Sequence, residues 1–166
     1  MARVISLGRS IGPYEGALRE IIQALKYERR RSVAKPLAHL MRSAGAQVLE
    51  EADVVVPVPL HLFRLYSRGF NQALELARHL DLPVLDALRR TRATVTQTDL
   101  PEARRHDNVR GAFAVRRTIP RHAIVVIVDD VSTTGATLDA CAAALLDAGA
   151  REVRGLTAAR AAARLP

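Results

Sequence analysis

The strongest constraint on the fold is a run of six apolar residues, Ala123 to Val128. Two carboxylates come directly after this run, and an alanine-rich segment follows them. β-Branched residues favour strands, and an uninterrupted apolar run indicates a strand that is buried on both faces. The segment "TLDACAAALLDAGA" at 137–150 predicts a helix that Gly149 closes. A buried strand followed directly by a helix is typical of α/β proteins.

The same alternation recurs along the chain and predicts one domain. We expect an α/β fold: an open, mostly parallel sheet with helices on both faces. Its core sheet spans 51–160, and a small helical region occupies 1–50. The predicted strands lie at 53–59, 83–87, 111–115, 123–128 and 152–159, and the predicted helices at 14–27, 32–45, 71–80 and 137–150.

Composition excludes several classes of protein. With 166 residues, of which 49% are hydrophobic and 25% charged, the chain has the profile of a globular protein. No apolar run approaches the roughly 20 residues of a membrane span, and the first residues lack the pattern of a signal peptide. The single cysteine, Cys141, excludes an internal disulfide and a multi-cysteine zinc site in this chain. We therefore expect a cytoplasmic protein.

The formal net charge of +8 is compatible with nucleic acid, a phosphorylated ligand or an anionic membrane surface as partner. It is equally compatible with a compositional bias, because only Lys26 and Lys35 among the 25 basic residues are lysine and the chain is rich in alanine. The positions of the arginines relative to the motifs are more informative than their number.

The segment that follows the 123–128 strand has the chemistry of a sugar-phosphate site. Ligands of open α/β sheets bind at the carboxyl ends of the strands, where Asp129 and Asp130 fall. The turn into the next helix presents free backbone N–H groups and the positive end of the helix dipole, which suit a phosphate. Carboxylates accept hydrogen bonds from sugar hydroxyls, so the whole segment fits a ribose 5-phosphate. The hydroxyls and the glycine of the turn are Ser132, Thr133, Thr134, Gly135 and Thr137.

Two competing phosphate motifs are absent from the sequence. It contains neither G-x-x-x-x-G-K-[ST] nor a G-x-G-x-x-G after a strand. The remaining alternative is a solvent-facing carboxylate pair before an ordinary helix, with Thr133 or Thr134 as its N-cap.

The complete segment "VVIVDDVSTTGAT", at 125–137, resembles the phosphoribosyl pyrophosphate (PRPP) motif of type I phosphoribosyltransferases. The resemblance implies that Asp129 and Asp130 bind the ribose hydroxyls. It also implies that a loop wraps the 5-phosphate, consisting of Val131, Ser132, Thr133, Thr134, Gly135, Ala136 and Thr137.

Further segments are similar to the ComF-like branch of this family, which is linked to natural competence. They are "PVPLH" at 57–61, "RGFNQ" at 68–72 and the central segment 90–115, and the resemblance covers about 14–160. Two features depart from the branch: the four-cysteine zinc ribbon is absent, and Asp99 stands where glycine is common.

The resemblance implies roles for three more regions. The loop at 59–71 would bind pyrophosphate through Arg64 and Arg68. The segment 89–110 would form a mobile lid over the pyrophosphate, with Arg105, Arg92 and Arg104 as its basic residues. Lys26 and Tyr27 would belong to the hood over the acceptor. The alternatives are solvated surface arginines, a basic loop that faces nucleic acid, and simple packing of Tyr27.

The expected function is Mg²⁺-dependent binding of PRPP, with possible transfer of its phosphoribosyl group to an acceptor. Arg64, Arg68 and Arg105 are the catalytic candidates, and Mg²⁺ is expected to be held mainly by PRPP rather than by protein ligands. The alternative is a non-catalytic protein of the competence machinery that senses PRPP or binds single-stranded DNA, with other competence proteins as partners.

Overall fold

A parallel sheet with helices on both faces forms the centre of the computed structural model, which describes residues 4–28, 30–91 and 111–162. Four strands build this sheet, in the order β1-β6-β5-β2, and each neighbouring pair is parallel. The remaining two strands, β3 and β4, form a separate antiparallel pair. The predicted α/β class is confirmed. The strands are β1 (Gly8–Pro13), β2 (Val54–Pro57), β3 (Leu88–Arg90), β4 (Phe113–Val115), β5 (Ile124–Ser132) and β6 (Glu152–Arg160).

The four predicted helices form where apolar residues recur at helical spacing, so that one side of each is buried. All four predicted helices are present, although 71–80 is helical only over Gln72–Ala77. Two short helices at 46–49 and 62–68 were not predicted. The helices are α1 (Gly16–Tyr27), α2 (Ala34–Ala44, after a 3₁₀ turn at Arg31–Val33), α3 (Ala46–Leu49), α4 (Leu62–Arg68), α5 (Gln72–Ala77) and α6 (Ala136–Asp147).

Both faces of β5 are buried, as its continuous apolar sequence requires. Successive side chains of a strand point to opposite faces. Val125 and Ile127 pack in one apolar cluster with α6, while Val126 and Val128 pack in a second cluster with α1, α2 and α5. Cys141 of α6 is fully buried in the first cluster, and burial raises the pKa of its thiol, so it is a core residue.

Two predicted strands differ in the structure. The segment 83–87 is not a strand, because Val84 alone makes a parallel bridge to Val55 and the carbonyl of Pro83 accepts from the Val55 N–H. Proline lacks an N–H and cannot extend the ladder. Segment 111–115 is a strand only over Phe113–Val115, and it pairs with β3 outside the central sheet. None of the helices in the described ranges is long and apolar enough to cross a membrane.

Candidate functional site

The carboxylate pair lies near the carboxyl end of β5, and the helix α1 contacts it. The N–H of Asp130 donates to Oδ1 of Asp129 at 2.8 Å, which orients the first carboxylate against the backbone of the second. Nζ of Lys26, in the last turn of α1, lies 3.0 Å from Oδ1 of Asp130, and both side chains are at most 14% exposed. The pair of acids therefore has a buried cation as a direct partner.

The two carboxylates have different electrostatic environments. The pKa of Asp129 is raised to about 7, first because the side chain is buried and then because of the negative charge of Asp130. The positive charges of Lys26 and Arg90 partly oppose this rise. Asp130 thus forms the ion pair with Lys26, while Asp129, with a pKa of about 7, gains or loses a proton near neutral pH. Both protonation states of a carboxyl group can accept a hydrogen bond from a sugar hydroxyl.

The hydroxyl loop between β5 and α6 is shorter than the sequence pattern indicates. β5 continues through Val131 and Ser132, and the carbonyl of Ser132 accepts from the N–H of Ala161 at 2.8 Å. Only the three residues 133–135 connect the strand to α6. The N–H of Ala136 is directed at Oγ1 of Thr134 at 3.4 Å, and Thr137 lies in the first turn of the helix.

Gly135 is the N-cap of α6 and has a φ of 86°, in the left-handed region that glycine adopts without strain. The 12-residue helix directs its first N–H groups and its positive dipole end toward the loop. A cavity of about 440 Å³ opens beside it, lined by the loop, Ser10, Thr157 and Arg160. This is a suitable environment for a phosphate group.

The second loop, residues 59–71 between β2 and α5, contains the short helix α4. Side chains that cap α4 and α5 hold it in place. Asn71 Oδ1 accepts from the N–H groups of Ala73 and Leu74, and its Nδ2 donates to the carbonyl of Val58 at 2.9 Å. Nδ1 of His61 accepts from the N–H of Phe63 at 3.2 Å, so this histidine has a capping role. The loop is thereby held against the end of β2.

The two arginines of this loop have different surroundings. Arg68 donates to Oε1 of the buried Gln72 at 3.0 Å, and its guanidinium lies 5.4 Å from the ring centroid of Tyr27. Burial lowers the pKa of the Arg90 guanidinium, and the positive charge of Arg64 lowers it further. Two cationic groups close enough to interact in this way suit a doubly charged anion.

Arg90 is the residue that sequence reasoning missed. It lies in β3, stacks 5.5 Å from the ring centroid of Phe113, and interacts electrostatically with both Arg64 and Asp129. It therefore stands between the carboxylate pair and the second loop. Its position depends on the pairing of β3 with β4, and no local pattern around residue 90 distinguishes it from the other arginines nearby.

The fold brings most of the predicted residues to one end of the sheet. Lys26 contacts the acid pair, Tyr27 contacts Arg68, and Arg64 is near Arg90. Nearby, a cavity of about 710 Å³ separates the second loop from the β3–β4 hairpin, with five arginines in its lining: Arg31, Arg78, Arg89, Arg90 and Arg116. The proposed lid residues Arg92, Arg104 and Arg105 lie outside the described residues.

The chain is similar to several known proteins. Residues 25–165 match the family model described as the phosphoribosyl transferase domain. The chain is 34% identical over 163 residues to competence protein F of Haemophilus influenzae, an alignment that covers 91% of this chain and 71% of that protein. It is 36% identical over 159 residues to DNA utilization protein YhgH of Escherichia coli K12, covering 87% and 68%.

Among solved structures, the allosteric regulatory enzyme of purine biosynthesis superposes with a TM-score of 0.50 and 25% identity. This similarity covers 82% of the chain but only 30% of that enzyme's chain. It therefore concerns one part of a much longer protein and supports the fold of the central sheet.

Proposed function

The chain belongs to the ComF-like branch of the phosphoribosyltransferase family, and from that premise we propose that it binds PRPP with Mg²⁺ and transfers the phosphoribosyl group to an acceptor. One observation carries the proposal: two carboxylates and a short hydroxyl loop follow each other at the carboxyl end of β5, directly before the N-terminus of α6. This order offers acceptors for ribose hydroxyls beside donors for a phosphate.

In the proposed complex, Asp129 and Asp130 accept hydrogen bonds from O2 and O3 of the ribose. The 5-phosphate occupies the segment from Val131 to Thr137, where backbone N–H groups and hydroxyls donate to its oxygens. The ladder of β5 and β6 supports this geometry at the start of the segment, and α6 begins at its other end.

Arg64 and Arg90 are our candidates for binding the pyrophosphate. Their mutual proximity concentrates positive charge beside the acid pair, and a leaving pyrophosphate gains negative charge in the transition state. Arg68, which is bonded to Gln72, is proposed to support the loop and to share in this charge stabilisation. The lid was predicted at 89–110, but β3 extends to Arg90, so a lid begins after that residue. Arg105, which lies outside the described residues, keeps its proposed role in it.

The surroundings of the acid pair fit an indirect role for Mg²⁺. Lys26 already neutralises Asp130, whereas Mg²⁺ prefers water and substrate phosphates together with one or two carboxylates. Bound with PRPP, the ion would neutralise charge on the pyrophosphate oxygens. The chain's own residues hold the ribose and the 5-phosphate in place.

Transfer breaks the bond between C1 and the pyrophosphate oxygen, which leaves with the electron pair, while the acceptor forms a new bond to C1. The work of the protein is positioning and electrostatic stabilisation, without a covalent intermediate. Tyr27 is our candidate for stacking on a planar acceptor such as a base, and its 69% exposure beside Arg68 supports this role.

Calorimetric titration of PRPP, with and without Mg²⁺, tests the proposal. The double variant Asp129→Ala, Asp130→Ala should bind PRPP at least about 100-fold more weakly, because it loses two charge-assisted hydrogen bonds of about 1.5–3 kcal/mol each. Asp147→Ala, at the exposed far end of α6, is the matched control and should bind normally. A folded wild type that binds no PRPP would refute the proposal.

A second candidate function, binding of single-stranded DNA, is favoured by one surface. Phe63 and Tyr66 of α4 are 73% and 89% exposed. The same helix carries Arg64 and Arg68, and the Arg68 guanidinium lies 5.4 Å from the ring centroid of Tyr27. Exposed rings stack on bases while arginines bind phosphates. The name of the Escherichia coli relative, a DNA utilization protein, agrees with such a role. Proteins of the competence machinery are the partners that we propose for it.

This second function is tested by the salt dependence of binding to a fluorescent oligonucleotide. The double variant Phe63→Ala, Tyr66→Ala should lose about 1–3 kcal/mol of binding free energy for each stacked base. The same variant should retain wild-type affinity for PRPP. Equal DNA binding by both proteins would exclude α4 as the DNA surface.

A further inference from the structure

The ion pair between Lys26 and Asp130 joins two segments that are far apart in the sequence. Lys26 is in the last turn of α1, and its Nζ lies 3.0 Å from Oδ1 of Asp130 and 5.9 Å from the ring centroid of Tyr14. The residue Asp130 is 8% exposed. A buried carboxylate of this kind requires a partner, since desolvation of an unpaired charge is expensive.

The contact also restricts the geometry of the carboxylate. The ammonium group occupies one oxygen, Oδ1, so the carboxylate plane is fixed and the other oxygen has a defined direction. The carboxylate of Asp129 next to it would otherwise favour rotation of the Asp130 side chain away from it. Lys26 opposes this rotation because its ammonium group holds Oδ1 of Asp130 at 3.0 Å.

We propose that Lys26 is a positioning residue of the ribose site, which holds Asp130 in one orientation so that its second oxygen accepts a ribose hydroxyl. This inference rests on the proposed function, and it assigns Lys26 to the ribose rather than to the acceptor. It also makes α1 part of the PRPP site, because the helix delivers the cation on which the carboxylate depends.

A purely structural ion pair makes a different prediction. If Lys26 only attached α1 to the sheet, its removal would lower the stability but leave the affinity of the folded protein for ribose 5-phosphate unchanged. If Lys26 positions Asp130, the affinity for ribose 5-phosphate falls even under conditions in which the variant is fully folded.

The experiment compares Lys26→Met, Lys26→Arg and Lys35→Met by calorimetry with ribose 5-phosphate, and with inorganic pyrophosphate as a second probe. Lys35 is exposed on α2 and is the only other lysine of the chain, so it provides a matched control. We expect Lys26→Met to bind ribose 5-phosphate roughly 10- to 100-fold more weakly, the range typical for loss of a group that orients a ligand-binding residue. Lys26→Arg should recover part of the loss, and pyrophosphate affinity should change little in all three variants.

A spectroscopic measurement on the otherwise unmutated protein covers the case in which Lys26→Met does not fold. Reductive ¹³C-methylation keeps the lysine charge and gives resolved NMR signals for the two lysines. The Lys26 signal should shift on addition of ribose 5-phosphate, the Lys35 signal should not, and the Lys26 response should be lost in Asp130→Asn.

The outcomes separate this inference from the function on which it rests. Wild-type protein that binds neither ribose 5-phosphate nor PRPP would refute the proposed function itself. Wild-type binding that Lys26→Met retains unchanged, or a Lys26 signal that does not respond to the sugar phosphate, would overturn the role of Lys26 alone.

Discussion

Replacing Asp129 with asparagine should stabilise the protein above neutral pH, although this residue belongs to the candidate ribose site. Burial and the neighbouring charge of Asp130 raise the pKa of Asp129 from an ordinary value of 3.8 to about 7. Asparagine has nearly the same shape and carries no charge. Its Oδ1 can still accept the hydrogen bond that the Asp130 N–H donates at 2.8 Å. The substitution thus removes an unfavourable charge and keeps the local geometry.

The sign and the size follow from proton linkage. Because the folded protein keeps a proton on Asp129 that the unfolded chain releases, the free energy of unfolding falls as the pH rises from 3.8 to about 7, and then levels off. Each pH unit in this window lowers the free energy of unfolding by at most about 1.4 kcal/mol. The total loss across the window is therefore at most about 4 kcal/mol. Since Asp129 is partly accessible to water, we expect its ionisation to lower the free energy of unfolding by about 1–3 kcal/mol.

Urea unfolding of the wild type and Asp129→Asn at about pH 5 and about pH 8.5 measures this effect. The variant should be more stable than the wild type at the higher pH, with a melting temperature about 2–4 °C higher for each kcal/mol, and the difference should shrink at the lower pH. The contrasting control is Asp130→Asn, which leaves Lys26 buried without its partner and should lose stability at the higher pH.

Two results would refute this reasoning. The first is an Asp129→Asn variant that is no more stable than the wild type at the higher pH. The second is a gain of equal size at both pH values, since an effect of ionisation must depend on pH.

Three further substitutions, at one capping residue and two glycines, are tested by measuring the free energy of unfolding in urea. Asn71→Ala removes the cap of α5 and the bond to the Val58 carbonyl, and should cost about 1–2 kcal/mol; an unchanged midpoint would contradict the capping role. Gly135→Ala places a side chain at a φ of 86°, where no atom lies within 4 Å of the new methyl group, so backbone strain alone should cost about 1–2 kcal/mol. Gly45→Ala would collide with Leu156 and the carbonyl of Met41, and should cost about 1–3 kcal/mol unless these groups shift freely.

The strands that could be predicted from the sequence are those whose local pattern agrees with their final environment. β2 and the first half of β5 are continuous apolar runs buried on both faces, and β6 is mostly buried in its second half; all three appear close to their predicted positions. β1 was not predicted, because its sequence "GRSIGP" has no apolar run and the strand lies half-exposed at the edge of the sheet. Its existence depends on β6 as a partner rather than on its own composition.

The candidate site likewise combines residues that the local sequence identifies with residues that depend on distant segments of the chain. Asp129, Asp130 and the hydroxyl loop could be identified because they are consecutive in the sequence and follow a recognisable strand. Arg90 and the contact of Lys26 with Asp130 could not, because both arise when separate segments meet in the folded chain. Tertiary partners of this kind leave no periodic signal for sequence reasoning to detect.

The position of β1 at the edge of the sheet has a consequence for how the protein folds during synthesis. Gly8 pairs with Gly155, so β1, the earliest of the described strands, has its partner in β6, the last of them. At a typical rate of translation, about 7–30 s pass between the synthesis of these two residues. Throughout that interval β1 has no partner, and nascent chains must keep this edge from pairing with other chains. A pairing between such distant segments also slows folding, since the entropy of closing the long loop must be overcome before the contact forms.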